Sequence, residues 1–158
     1  MVQLPLFEAA TLPTPPRERR NDVRTGKSGE HLVLAKLTRW GYDAHDAPQD
    51  AAYDVIVDHH GRVIRIQVKT RSEASGSSWN YRVMRGNWRS ATGTYAHASG
   101  DYDIFAAVAN SIERLLFVPD VVHAIRFKTE DFMQDGADRH SWEQALAAVI
   151  ARTNDDGT

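Results

Sequence analysis

The sequence predicts an α/β domain in which a mixed central β-sheet is flanked by helices. Three observations point there: a helical pattern over residues 28–40, two β-branched runs joined by a glycine-containing turn at residues 59–62, and a capped helical pattern over residues 141–152 that follows two more apolar runs. The length of 158 residues agrees. A folded chain of that size buries roughly two-thirds of its unfolded surface, enough for one core without a staple.

Each element has its own signal. Four of the six prolines lie between Pro5 and Pro16, and Arg17-Glu18-Arg19-Arg20 follows, so residues 1–24 read as a flexible tail. The folded domain is expected over residues 25–152, with residues 153–158 as a short C-terminal tail. Ser28 is placed to cap the first helix and Gly41 to end it. An extended piece around Tyr42–Ala44 and a polar loop through Pro48 come next. Asp54–Asp58 and Val63–Thr70 then form a hairpin around His60-Gly61. Residues 71–100, rich in Ser, Gly, Arg and aromatics, hold one strand at Tyr81–Met84. Ile104–Ala109 and Leu115–Val118 are strands joined at Asn110-Ser111, and Pro119 ends the second. Ser141 and Gln144 make a capping box for a last helix that runs to about Arg152.

Composition removes several kinds of chemistry. The chain is 42% hydrophobic and 25% charged, ordinary for a globular protein, and has no cysteine. Disulfides, thiolate zinc sites and a cysteine nucleophile are therefore excluded. No apolar run approaches the ~20 residues of a membrane span, and no signal sequence is recognisable, so a cytoplasmic protein is expected. His59, His60, His97, His123 and His140 share no ligand spacing and read as turn and surface residues. Charge is uneven along the chain. Residues 60–90 carry seven bases (Arg62, Arg65, Lys69, Arg71, Arg82, Arg85, Arg89) against Glu73 alone, within a chain of net charge -2. A basic segment of that kind attracts phosphate, or else forms a solvated face.

The hairpin implies a more specific arrangement. With the turn at His60-Gly61, opposed residues sum to 121, so Asp54 lies opposite Gln67, Val55 opposite Ile66 and Val57 opposite Ile64. The Val and Ile side chains cover one face. Asp54, Gln67 and Lys69 gather on the other, at one end of the ribbon. Directly opposed residues have Cβ atoms ~4.5–5.5 Å apart, close enough for two side-chain oxygens to share one hard cation. Lys69 stands about 6.6 Å further along the strand, in reach of a group bound there. On the first helix Glu30 shares a stripe with Leu34 and Leu37 that faces the sheet. A carboxylate there needs a partner, and a metal or its water would serve; a capping carboxylate is the plainer alternative.

These residues resemble the PD-(D/E)XK nuclease superfamily. Gly29-Glu30, Trp40-Gly41-Tyr42, Tyr53-Asp54-Val55-Ile56-Val57 and Ile66-Gln67-Val68-Lys69-Thr70 look like the branch with glutamine at the second ligand position, which includes intron-encoded homing endonucleases and small phage and bacterial nucleases and lies near Holliday junction resolvases. The resemblance spans roughly residues 26–120, and Asp103 fits its later strand. It implies a restriction-endonuclease-like core, Mg²⁺ or Mn²⁺ as cofactor and DNA as substrate. Carried over by position, Asp54 is the central metal ligand, Gln67 replaces the usual second acid, the Val68 carbonyl is a further ligand, Lys69 is the catalytic lysine and Glu30 is the helix carboxylate. Because glutamine brings no charge, two formal negatives stand where three are usual.

Nucleic-acid contacts are expected from Arg62, Arg65 and Arg71 beside the site and from Arg82, Arg85 and Arg89 beyond it. Trp79, Tyr81, Trp88 and Tyr95 are placed to stack unpaired bases; the plainer alternative is that Trp79 and Tyr81 are core residues and the arginines solvate a loop. In the tail, Gln3-Leu4-Pro5-Leu6-Phe7 resembles the peptide that bacterial replication and repair proteins insert into the sliding clamp; Leu6 and Phe7 are the apolar anchors, with Gln3 and Leu4 beside them. A homodimer is expected if both DNA strands are cut. The functional expectation is a metal-dependent endonuclease; the alternatives are an inactive DNA-binding module of the same fold and an unrelated α/β domain.

Overall fold

The computed structural model describes residues 22–86 and 93–155. Residues 1–21 of the tail, with the peptide at residues 3–7, and Trp88 and Arg89 lie outside these described residues, whereas residues 22–24 fall in the first helix and residues 153–155 in the last. The first helix, α1, spans Asp22–Arg39 and starts six residues before Ser28. Ser28 is no cap: its Oγ donates back to the Thr25 carbonyl at 2.8 Å, inside the helix. The buried stripe runs through Gly29, Val33 and Leu37, one position round from the expected one, which leaves Glu30 and Leu34 half-buried at its flank. Gly41 ends the helix with φ +91, and the Tyr42 N–H reaches back to the Leu37 carbonyl at 3.0 Å.

Five strands form the main sheet in the order β1-β2-β3-β7-β8: β1 (Asp43–Asp46), β2 (Val55–His59), β3 (Arg62–Arg71), β7 (Ile104–Ala109) and β8 (Arg114–Val118). Every pairing is antiparallel except β3 with β7, so the sheet is mixed as expected. The β2–β3 loop is His60-Gly61 with φ of 54 and 78, a type I′ turn whose twist matches its strands. It fixes Val55 opposite Ile66 and Val57 opposite Ile64. All four are fully buried, and burial of such side chains stabilises by roughly 1.5–3 kcal/mol each. A slip of one residue would turn all four to the opposite face, so the register is firmly set.

Each face of the sheet carries its own core. On one, Ile64, Ile66, Val68, Ile104 and Phe117 pack against Val33 and Leu37 of α1 and Trp142 of α3 (Ala137–Asp155). On the other, Phe105, Ala107 and Leu116 pack under a two-stranded ribbon of β4 (Ser78–Arg82) with β9 (Ala124–Lys128) and under Phe132 of α2 (Thr129–Met133). Short strands β5 (Met84–Gly86) and β6 (Thr94–Ala96) pair separately. The single strand expected at Tyr81–Met84 is thus two, broken at Val83, whose N–H bonds the His123 carbonyl at 2.9 Å. Trp79 and Tyr81 are core residues. Trp79 Nε1 donates to Thr129 Oγ1 at 3.0 Å, and Tyr81 meets Phe105 and Phe127 edge-on. The last helix starts four residues before Ser141, which lies within its first turns and accepts the Phe117 N–H at 3.1 Å, joining α3 to β8.

Candidate active site

Asp54 immediately precedes β2, yet its N–H bonds the Ile66 carbonyl at 2.9 Å and extends the ladder by one residue. That brings its side chain against Gln67, which is 5% exposed. Asp54 Oδ2 accepts Gln67 Nε2 at 2.5 Å and the Val68 N–H at 2.8 Å, while Nε2 lies 3.3 Å from the Val68 carbonyl oxygen. Carboxylate, amide and peptide carbonyl therefore converge on one spot. A half-turn of the Gln67 amide would present its oxygen there, making a set of three hard oxygen donors.

The cluster opens into a polar cleft of about 460 Å³ lined by Glu30, Asp54, Val68, Lys69, Thr70 and Arg71 among others. Burial is the main cause that lifts the Asp54 carboxyl above its ordinary range; the Val68 N–H opposes it, Glu30 adds to it as a like charge and Lys69 again opposes. An acid in that position favours a bound cation, and oxygen donors suit Mg²⁺ or Mn²⁺. Among the described residues no group of three or more His, Asp or Glu side chains could hold a metal. Any cation here thus depends on the amide and the peptide carbonyl as well as the two acids.

A profile of the PD-(D/E)XK endonuclease family matches residues 20–145, which include the whole cluster. The chain belongs to that family. No curated protein matches it in sequence. Among solved structures, a bacterial homing endonuclease, I-Ssp6803I, superposes with a TM-score of 0.61 at 19% identity, covering 83% of this chain and 97% of that one. At that identity the likeness concerns the fold: a restriction-endonuclease-like sheet flanked by helices.

Against this nuclease fold the remaining expected residues separate into distinct settings. Glu30 is tied to Lys27 at 2.6 Å, and Lys27 also reaches Asp46 at 3.3 Å. Hydrogen bonding to Glu30 is the main cause that holds the Lys27 ammonium above its usual value. Lys27 escaped the sequence reading because an i,i+3 Lys–Glu pair on a helix is ordinary surface chemistry. Arg65 is committed to Asp103: Nε and Nη2 reach the two carboxylate oxygens at 3.0 and 2.9 Å, and its Nη1 donates to the Gly100 carbonyl. This fork pins the start of β7 to β3. Arg62 sits at the turn end of the hairpin, away from Asp54, and reaches the Val149 carbonyl of α3 at 3.3 Å. Arg71 shares the cleft with Lys69. Arg85 lies 3.8 Å from Asp101 and over the Tyr95 ring, and Arg82 is exposed at the end of β4.

Two further positions matter that residue type alone did not reveal. His97, expected at the surface, is 4% exposed, and lines a second, smaller pocket with Gln67 and Lys69. Burial pushes its imidazole below the usual value in spite of Asp101 beside it. Gly29 is where α1 crosses β3. A Cβ there would stand 1.8 Å from Thr70 Oγ1 and 3.0 Å from Thr70 Cβ, so only glycine lets the helix come this close. The contact sets the height of Glu30, the next residue, over Lys69, the residue before Thr70.

Proposed function

We propose that the protein hydrolyses phosphodiester bonds of DNA with the help of a divalent cation, Mg²⁺ or Mn²⁺. The observation that carries this reading is the convergence of Asp54, Gln67 and the Val68 carbonyl at the edge of a cleft that also holds Glu30 and Lys69. When bound, the cation supplies charge to polarise a phosphate and to acidify a water. Asp54, the Gln67 carbonyl, the Val68 carbonyl and Glu30 are the groups that would hold it. The ammonium of Lys69 is the cation the chain itself contributes, suited to orient the attacking water or to bond a phosphoryl oxygen as negative charge develops. Gln67 contributes a dipole without charge, so metal affinity is expected to be modest.

Incubation of labelled duplex, flap and four-way junction DNA with the protein tests this reading. Cleavage of at least one substrate with Mg²⁺ or Mn²⁺, abolished by chelator, is expected. Binding without cleavage of any substrate would support the inactive DNA-binding module instead. Recruitment to a sliding clamp through Gln3, Leu4, Leu6 and Phe7 belongs to the same reading. A peptide of residues 1–15 is expected to capture a bacterial clamp and to lose it on Leu6→Ala/Phe7→Ala; no capture at micromolar clamp ends the idea. A dimer would bring two such sites to the two strands.

A further inference from the structure

Three arginines beyond the catalytic cluster stand together without an acid. Arg71 ends β3, Arg82 ends β4 and Arg126 lies in the middle of β9; all three are exposed. Pairing of β4 with β9 sets Asn80 opposite Arg126, and alternation puts Asn80, Arg82 and Arg126 on the outer face of the ribbon while Trp79 and Tyr81 face the core. Asn80 braces two of the three. Its side-chain Oδ1 accepts Arg126 Nε at 2.7 Å, and its backbone carbonyl accepts Arg71 Nε at 2.7 Å.

Several other bases among the described residues are compensated. Arg65 pairs with Asp103, Arg139 with Glu143, Lys36 with Asp138 and Lys27 with Glu30. Among the described residues no carboxylate pairs with Arg71, Arg82 or Arg126, and the two that are braced are held by neutral oxygens that cancel no charge. The three line one groove of about 610 Å³, and Arg71 lines both this groove and the cleft of Asp54 and Lys69. A row of uncompensated guanidinium groups running out of a catalytic cleft suits a polyanion more than a single small anion.

We infer that the outer face of the β4–β9 ribbon is a phosphate track: Arg71, Arg82 and Arg126 hold the DNA backbone beside the bond to be cut, and Asn80 is a positioning residue for two of them. This rests on the nuclease reading above. It extends the interface to Arg126, well outside the basic segment visible in the sequence, and assigns it to backbone holding and not to the reading of base edges.

Equilibrium binding of the full chain to duplex DNA in chelator, across a salt series, tests the track. Each phosphate contact contributes about 0.9 to the slope of log K against log salt. Arg82→Ala/Arg126→Ala is expected to flatten that slope by about 1.8 and to weaken binding about tenfold or more near physiological salt, uniformly across sequences. Asn80→Ala keeps the charges and the backbone carbonyl that braces Arg71 but removes the brace on Arg126, and should weaken binding with the slope largely retained. If the double alanine variant fails a thermal-unfolding check, Arg82→Gln/Arg126→Gln removes the charge while keeping the bulk. An unchanged slope and affinity, a changed sequence preference at constant slope, or no duplex binding by the unmodified chain would each overturn the track. Metal-dependent cleavage by the unmodified chain, scored separately, reports on the nuclease reading: cleavage intact with an unchanged slope overturns the track alone, and a flattened slope without cleavage overturns only the catalytic assignment.

Discussion

Lys69→Ala is expected to slow metal-dependent DNA cleavage by about 10²–10⁴-fold while leaving the fold in place. The side chain lines both the polar cleft and the smaller pocket beside it, next to the Asp54–Gln67–Val68 cluster. Among the described residues no ion pair holds its Nζ, so truncation strands no carboxylate at bonding distance, and the adjacent core side chain is that of Val68. Stability should therefore stay within about 0.5 kcal/mol of the unmodified protein, the usual range for substitutions away from caps and cores. Single-turnover cleavage and thermal unfolding on the same preparation separate the two effects. An unaltered cleavage rate would remove Lys69 from the chemistry.

Asp54→Asn is expected to abolish cleavage and, without metal, to leave the protein as stable as before or more stable at neutral pH. The sign follows from the raised carboxyl of Asp54, whose main cause is burial, with Glu30 adding to it. Below the ordinary carboxylate range the group is protonated in the folded and unfolded chains alike. As pH rises through the elevated folded value, the folded protein must carry an ion that its surroundings disfavour, and the stability the protonated group contributed is lost. Above the ordinary carboxylate range some of that stability has already been lost. An asparagine takes up no charge, and its side-chain oxygen can still accept the Val68 N–H now bound at 2.8 Å. Thermal unfolding across pH should show a gap that opens in favour of the variant as pH rises, and Mn²⁺ should raise the midpoint of the unmodified protein only. A variant less stable at neutral pH, with the deficit vanishing in acid, would mean the ionised carboxylate stabilises the metal-free fold.

The part of the site that was legible in the sequence is the part that is local. Asp54, Gln67, Val68 and Lys69 sit on one hairpin whose His60-Gly61 turn and alternating Val and Ile residues determine which side chains meet. Helical spacing predicts Glu30 on the sheet-facing stripe, and the structure turns that stripe by one residue because Gly29, with no side chain to register as apolar, occupies the closest contact with β3. What could not be read depends on distant partners. The alternation Ala-Ile-Arg-Phe-Lys of β9 becomes a ribbon only through β4, and the acid that occupies Arg65 comes from the start of β7. A lone arginine in a sequence does not show whether a carboxylate awaits it, which is why Arg65 and Arg71 look alike there and meet different partners, Asp103 for one and the Asn80 carbonyl for the other. Trp79 and Tyr81 were equally ambiguous until the ribbon closed over Phe105.

The proposed chemistry rests on one divalent ion held by the Asp54 carboxylate, the Gln67 amide oxygen and the Val68 carbonyl. Anomalous X-ray diffraction from crystals of the protein soaked in Mn²⁺ tests it most directly. A single strong peak is expected in bonding contact with Asp54 and the Val68 carbonyl, with the Gln67 amide turned to face it, and no such peak in Asp54→Asn crystals. A peak bound elsewhere, or none at saturating Mn²⁺ with the Gln67 nitrogen still on Asp54, would contradict it.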